Sequence, residues 1–353
     1  MVQTLLIKGN EAIAMGAIEA GCRFYFGYPI TPQNDIPEYM SRHLPPIGGT
    51  FIQGESEIAS INMLLGVGAT GQRAMTSSSS PGISLKQEGI SYMCGSQIPG
   101  VIINISRSGP GLGGISPSQG DYFQATRGGG HGDYRTIVLA PHSVQENYDL
   151  TMKAFDLADK YRNPVVILGD ALLGQMKEPL IKRAYRRKKY RKDWTLTGAK
   201  DRKARVLKSL YLSEGELTVH NWMLYKKYRK MKQEIMFETL FIEGARLVVV
   251  AFGSTARILK SAVGMAREKG MKVGLFRPIT IYPFPYEALE KISQKVRNFL
   301  AIELNTGQMV EDLKLAVRYK KNNVDFYGRP PGSIPSPDEL FQEIKKIYKK
   351  RIG

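Results

Sequence analysis

Residues 23–32 read Arg23-Phe24-Tyr25-Phe26-Gly27-Tyr28-Pro29-Ile30-Thr31-Pro32. The aromatic run to Tyr28 predicts a buried strand, entered from a helix that Gly21 closes. Two prolines and Thr31 then break it into a turn. Working outward, further short apolar runs predict strands at Thr50–Gln53, Arg73–Ser77, Val101–Ser106, Thr136–Leu139 and Pro164–Leu168. Helical patterns lie between them, among them Glu57–Val67 and Ser143–Tyr161. The second opens with a capping box, Ser143 to Glu146. Strands alternating with helices at this spacing point to an α/β fold with a parallel sheet.

The pattern stops near residue 177 and returns at Ala245. Leu247–Phe252 reads as a buried strand that turns through Gly253-Ser254-Thr255 into a helix ending near Gly270. Strands follow at Lys272–Phe276 and Asn298–Glu303, and a last helix at Pro337–Lys350 starts from a Ser336 cap. The expectation is two parallel-sheet domains, 1–176 and 244–353, joined by an arm over 177–243.

That arm holds most of the charge. The chain of 353 residues has a net charge of +18, and 177–233 alone carries 19 Lys and Arg against 5 Asp and Glu, a surplus of 14. The run Tyr185-Arg186-Arg187-Lys188-Lys189-Tyr190-Arg191-Lys192 sits there with both tryptophans nearby, and Asn221–Phe237 looks helical. Interleaved cations and aromatics suit single-stranded nucleic acid. A local surplus between two near-neutral domains, without any nucleic-acid motif, suits a solvated arm or a docking surface for an acidic partner better. No nucleic acid is expected as a partner.

Two cysteines, Cys22 and Cys94, are too few and too far apart to ligate an iron–sulfur cluster or zinc in this chain. They fit a reduced compartment. Met1–Lys8 is too short and too soon polar for a signal peptide, and no apolar run reaches membrane-span length. A cytoplasmic protein with no membrane association is expected.

Several turns fall just beyond predicted strands, where open α/β sheets bind ligands. Tyr28–Pro32 is one; Thr31 before Pro32 is also a good helix start. Gly54-Glu55-Ser56-Glu57 puts acids where they complement a helix dipole or hold a ligand nitrogen. Thr76–Gly82 is a hydroxyl-rich turn suited to a loop or a cofactor contact. Arg107 precedes the glycine-rich Ser108–Gly114 and could pair with a carboxylate. Gly128-Gly129-Gly130-His131 implies close backbone packing. Gly169-Asp170-Ala171 lacks the third glycine and the later asparagines of a magnesium–diphosphate motif.

In order along the chain, Lys8–Ala12, Tyr28–Pro32, Glu55–Ala59, Thr76–Gly89, Gly109–Gly113, Asp121–Tyr134 and Glu303–Gln308 resemble the alpha-type subunits of 2-oxoacid:ferredoxin oxidoreductases. The resemblance spans nearly the whole length. It looks strongest toward members acting on the branched-chain substrate 3-methyl-2-oxobutanoate, with the 2-oxoglutarate members as the alternative.

The resemblance implies a pyrimidine-binding (PYR-like) domain followed by a transketolase-C-like domain. It implies CoA-dependent oxidative decarboxylation of a 2-oxoacid to acyl-CoA and carbon dioxide, with reduction of ferredoxin. Thiamine diphosphate would be shared: its aminopyrimidine here, its magnesium diphosphate on a beta-type subunit with a Gly-Asp-Gly motif. Gamma-type and ferredoxin-like delta subunits would complete the complex, and iron–sulfur clusters would lie in partner subunits only. By position, Glu57 matches the catalytic, cofactor-binding glutamate. Tyr28, Pro29, Ser79 and Ser80 match cofactor contacts, and Thr31, Arg107 and Ser116 match substrate contacts. Ser108 replaces a glycine common among the 2-oxoglutarate members. Sulfonate or phosphonate decarboxylase and indole-pyruvate subunits share the pyrimidine-domain fold by analogy.

Overall fold

A computed structural model describes residues 4–318, 321–330 and 332–353. The first three residues of the leader reading, Met1-Val2-Gln3, lie outside the described residues. The first half runs β1 (Thr4–Lys8), α1 (Gly9–Glu19), β2 (Phe24–Gly27), α2 (Asp35–His43), β3 (Thr50–Gln53), α3 (Glu57–Ala69), β4 (Ala74–Ser78), α4 (Ser80–Gly95), β5 (Gly100–Ser106), α5 (Tyr122–Arg127), β6 (Ile137–Leu139), α6 (Val144–Tyr161), β7 (Pro164–Asp170), α7 (Ala171–Gln175) and β8 (Lys177–Ile181). The rest runs α8 (Glu216–Lys230), β9 (Phe237–Leu240), β10 (Leu247–Val250), α9 (Gly253–Glu268), β11 (Val273–Pro278), β12 (Thr280–Tyr282), α10 (Tyr286–Ser293), β13 (Asn298–Glu303), α11 (Met309–Ala316), β14 (Asn323–Gly328) and α12 (Pro337–Ile352).

The α/β class holds. A seven-stranded sheet has the order β12-β6-β7-β5-β4-β2-β3, parallel except where β12 joins β6. Its central strands β5 and β7 are buried throughout, as strands covered on both faces must be. A five-stranded sheet, β14-β13-β10-β11-β9, is parallel except for β9. Helix α6 packs beneath the first sheet through Val144, Tyr148 and Phe155, and α9 and α12 cover the second through Leu259, Val263, Phe341 and Ile344.

Local signals give some ends and not others. Ser336 caps α12 and Glu339 reaches back, a complete capping box. Ser143 caps α6, but Glu146 does not return to it: its carboxylate accepts the bidentate guanidinium of Arg277 at 2.7 and 2.9 Å. Thr31 does not start a helix. Instead the Pro32 carbonyl accepts from Asn10 and Gln175, both at 2.9 Å, and α2 begins at Asp35.

Residues 177–243 begin with β8, antiparallel to β1, and end with β9 on the second sheet. Between them the chain lies over the helices of the first sheet. Lys192 donates to the Gly71 carbonyl and pairs with Asp159, Trp194 is buried under Arg162, and His220 meets the Gly95 carbonyl at 2.7 Å. Several of the arm's cations therefore already have partners in this chain. Among the described residues no helix is long and apolar enough to cross a membrane.

Candidate functional site

Sheet order brings the sequence motifs together. Strands β5, β4, β2 and β3 are neighbours and parallel, so Arg107, Ser78–Ser80, Tyr28–Thr31 and Gly54–Glu57 emerge side by side at one edge. That edge is where an open α/β sheet offers strand ends and helix starts to a ligand.

The β2 turn is held from below. Lys8 pairs with Asp35 at 2.7 Å, and Asn10 donates to Pro32 and Asp35, so the first motif of the chain grips the turn. Tyr28, Pro29 and Thr31 are left exposed at the rim. Arg107, 8% exposed, reaches across from β5. Its Nη1 donates to the Thr31 carbonyl at 3.0 Å and its Nη2 to the Leu112 carbonyl at 3.2 Å, while its Nε has no partner among the described residues. Ser116 stands on the returning limb of the same loop, where its carbonyl accepts from the Ser108 amide.

The two serines opening α4 differ. Ser80 is committed: it accepts from the Arg107 amide at 2.9 Å and donates to Asp121 at 2.6 Å, with Asn104 on the same carboxylate. Burial raises the Asp121 pKa against those hydrogen bonds. Ser79 and Ser78 have buried hydroxyls without partners. Such orphaned donors are costly to bury.

Glu57 opens α3 behind the Ser56 cap. It is 6% exposed, and its carboxylate accepts no hydrogen bond from the described residues. It lies against Gly82: a Cβ there would stand 2.5 Å from Glu57 Oε1 and 2.0 Å from Ser78 Oγ. Behind it Lys86, fully buried on α4, donates to the Glu57 carbonyl at 3.3 Å. Burial pushes the Lys86 ammonium down to about 7, with the Glu57 charge opposing.

The remaining motifs are supports. Gln119 donates to the Phe252 carbonyl at 2.8 Å and accepts from Thr255 at 2.8 Å and the Leu304 amide at 3.0 Å. Asn305 donates to the Gln119 carbonyl, and buried Glu303 gathers Asn305 and three amides. Residues Glu303–Gln308 thus fix the 119–121 loop, which fixes Asp121, Ser80 and Arg107. In the glycine loop, the Gly129 amide donates to Gln87, and a Cβ on Gly130 would stand 2.7 Å from the Gln87 carbonyl. Asp170 caps α7 and accepts from Ser254, which accounts for it without a metal. Among the described residues no group of three His, Cys, Asp or Glu could hold a metal. Cys22 and Cys94 are buried, with thiols pushed up to about 12 by burial.

Sequence reasoning missed Lys86 and Asp121. A lysine in a helix reads as solvated, and only the packing of α4 on α3 shows otherwise. A cavity of about 1030 Å³ lies elsewhere, between α8 and the β12–α10 turn, lined by Arg135, Trp222, Arg229 and Tyr282.

The residues fit the aminopyrimidine half of thiamine diphosphate: a buried, unpartnered carboxylate, two free hydroxyls and a cradle that a Cβ would fill.

Residues 15–239 match the family described as pyruvate flavodoxin/ferredoxin oxidoreductase, thiamine diphosphate-binding, and residues 245–340 match pyruvate:ferredoxin oxidoreductase core domain II. The chain is 47% identical to ketoisovalerate oxidoreductase subunit VorB of Methanothermobacter marburgensis, covering 98% of each chain. It is 37% identical to 2-oxoglutarate synthase subunit KorA of Archaeoglobus fulgidus, covering 96% of this chain and 98% of that one. Among solved structures it resembles the 2-oxoglutarate:ferredoxin oxidoreductase of Magnetococcus marinus with 2-oxoglutarate, coenzyme A and succinyl-CoA bound, at a TM-score of 0.85 and 25% identity. The match covers 97% of this chain and 65% of that one. A split-gene transketolase, at a TM-score of 0.60 and 11% identity over 98% of this chain and 99% of that one, shares the fold.

Proposed function

Because the chain belongs to the 2-oxoacid:ferredoxin oxidoreductase subunits, the family of the pyruvate flavodoxin/ferredoxin oxidoreductase thiamine diphosphate-binding domain, we propose that it holds the aminopyrimidine side of a cofactor site completed by a partner subunit. The observation that carries this is Glu57, 6% exposed and with a carboxylate that accepts no hydrogen bond from the described residues, at the strand edge where the Tyr28, Ser78 and Arg107 turns also end.

Thiamine diphosphate, when bound, supplies the carbon nucleophile and electron sink for 2-oxoacid decarboxylation. Glu57 would accept the proton-bearing ring nitrogen of the pyrimidine and set its tautomer, a general acid–base task. Ser78 and Ser79 would donate to the ring substituents. Arg107, with a free Nε–H, and Thr31 would orient the carboxylate end of the substrate. Ser116, on the returning limb of the same loop, would line that end. Tyr28 and Pro29 would close the rim against the cofactor.

The rim also exposes Ile52, Ile58, Leu85, Leu112 and Ile115, an apolar collar that suits a partner interface. A beta-type subunit with the diphosphate and magnesium ligands fits there. Iron–sulfur clusters would lie in gamma- and delta-type partners and pass electrons to ferredoxin, with coenzyme A as the acyl acceptor. The substrate favoured is 3-methyl-2-oxobutanoate, on the strength of the 47% relative. 2-Oxoglutarate is the second reading, supported by the KorA relative and the Magnetococcus structure. Specificity constants for both acids, measured by viologen reduction with the co-purified complex, decide between them. A constant for 2-oxoglutarate higher than for the branched-chain acid would reverse the assignment.

A further inference from the structure

Residues 28–32 belong to no strand or helix, so side chains must hold the backbone that carries Thr31. Two carbonyls of this turn are gripped from different parts of the chain. Arg107 donates to that of Thr31 at 3.0 Å, and Asn10 and Gln175 donate to that of Pro32, each at 2.9 Å.

Asn10, second residue of α1, has no exposed surface. Its Nδ2 donates a second hydrogen bond, at 2.9 Å, to Asp35, the first residue of α2. Both neighbours are acceptors, a carbonyl and a carboxylate, which fixes the amide with its nitrogen toward them. Its Oδ1 has no partner among the described residues, and it presses on α7, where a Cβ on Gly174 would stand 2.5 Å from it. A buried acceptor left unpaired is costly, so an amide here is a poor choice for stability alone. Both donors are spent and the acceptor is wasted, which is the pattern of a side chain kept for what it donates to.

We propose that Asn10 is a positioning residue for the substrate: by tying the Pro32 carbonyl to the start of α2 it sets where Thr31 stands against Arg107. This rests on the substrate-binding role given above to Thr31 and Arg107. Without Asn10 the fold keeps its other ties, since Gln175 still reaches Pro32 and Asp35, and Lys8 still pairs with Asp35 at 2.7 Å. The turn then loses its anchor on α1, and small displacements of a substrate-orienting group are expensive.

The test uses the co-purified complex and 3-methyl-2-oxobutanoate-dependent viologen reduction. Asn10→Leu keeps nearly the volume and removes both donors. KM for the 2-oxoacid should rise by about tenfold, while kcat and the KM for coenzyme A stay within about threefold, as for lost substrate binding. Asn10→Ala reads the same quantity if leucine prevents assembly. A merely structural asparagine would lower the amount of active complex and so the apparent kcat at unchanged KM, and that result overturns the proposal. The Arg107→Ala and Asn10→Leu/Arg107→Ala complexes complete a cycle. Because Asn10 acts through the Thr31–Arg107 contact, the double variant should have a KM little higher than Arg107→Ala alone; fully multiplying effects overturn the proposal. If Arg107→Ala raises KM and Asn10→Leu does not, the substrate site stands and the proposal alone fails. If Arg107→Ala leaves KM unchanged, the role given to Arg107 and Thr31 fails, and the proposal with it.

Discussion

The Arg107 guanidinium donates to the Thr31 carbonyl at 3.0 Å, bridging the ends of β5 and β2 across the intervening β4. The two residues proposed to meet the substrate are thus already joined, and the planar fork uses its second arm on Leu112. Arg107→Ala removes a buried, charge-assisted contact worth about 2–3 kcal/mol, so the specificity constant should fall by roughly a hundredfold. Arg107→Lys keeps the charge without the fork and should recover only part of the loss. Steady-state kinetics of the two complexes check this; unchanged kinetics would leave Arg107 as a brace between loops.

Gly82 is a second, independent probe of the Glu57 pocket. Gly82→Ala places a methyl 2.5 Å from Glu57 Oε1 and 2.0 Å from Ser78 Oγ, so both must move. Overpacking of this kind costs about 1–3 kcal/mol of stability. Turnover should drop at least about tenfold, since a misplacement near 1 Å at a catalytic group is costly. Thermal unfolding and turnover of the same complex measure both. A normal rate would mean that the carboxylate need not stand where the structure puts it.

The Lys86 ammonium sets a signed expectation for stability. Its pKa falls from 10.5 to about 7 on folding, through burial. The unfolded chain therefore binds the proton more tightly. The penalty is complete below pH 7, shrinks between 7 and 10.5, and vanishes above. Lys86→Met should be more stable at pH 6 by up to about 4 kcal/mol, with the gain fading toward pH 10. Denaturant unfolding across that range tests it; a constant difference would speak against a charged, buried lysine.

The contact between the two halves of the chain behaves oppositely with pH. Burial works against Glu146, yet hydrogen bonds from His142 and the bidentate Arg277 hold its carboxyl down to about 2, against an ordinary 4.5. Its contribution is present above pH 4.5 and is lost as pH falls toward 2. Glu146→Gln should be less stable by about 3 kcal/mol at pH 7 and should converge on the wild type in acid. Urea unfolding at pH 7, 3 and 2 checks that the gap narrows and then closes.

What could be read from the sequence follows the range of the interactions. Strand–helix alternation and the turns at Tyr28–Pro32, Thr76–Gly82 and Arg107 are local, and the parallel sheet then places them at one edge. Strand β12 was not legible, since Thr280–Tyr282 leaves the second half of the chain to pair with β6. The departures of Glu146 and Thr31 from capping have the same origin: Arg277, 131 positions away, draws the Glu146 carboxylate off the Ser143 amide, and Asn10 and Gln175 claim the Pro32 carbonyl. Glu303–Gln308 was visible as a motif, but its purpose, fixing Gln119, appears only once the two sheets are apposed. Lys86 shows the limit most clearly, because nothing in the helical pattern of α4 distinguishes a buried lysine from a solvated one.

The most direct measurement is 3-methyl-2-oxobutanoate-dependent, CoA-dependent viologen reduction by the co-purified complex, wild type beside Glu57→Gln, with the isolated chain as a third sample. The wild-type complex should turn over. The Glu57→Gln complex should assemble but lose on the order of a hundredfold or more in rate, as expected for removal of a positioned proton-transfer group. The isolated chain should be inactive. Near-normal turnover by the Glu57→Gln complex, or turnover by the isolated chain, would contradict a split cofactor site built around Glu57.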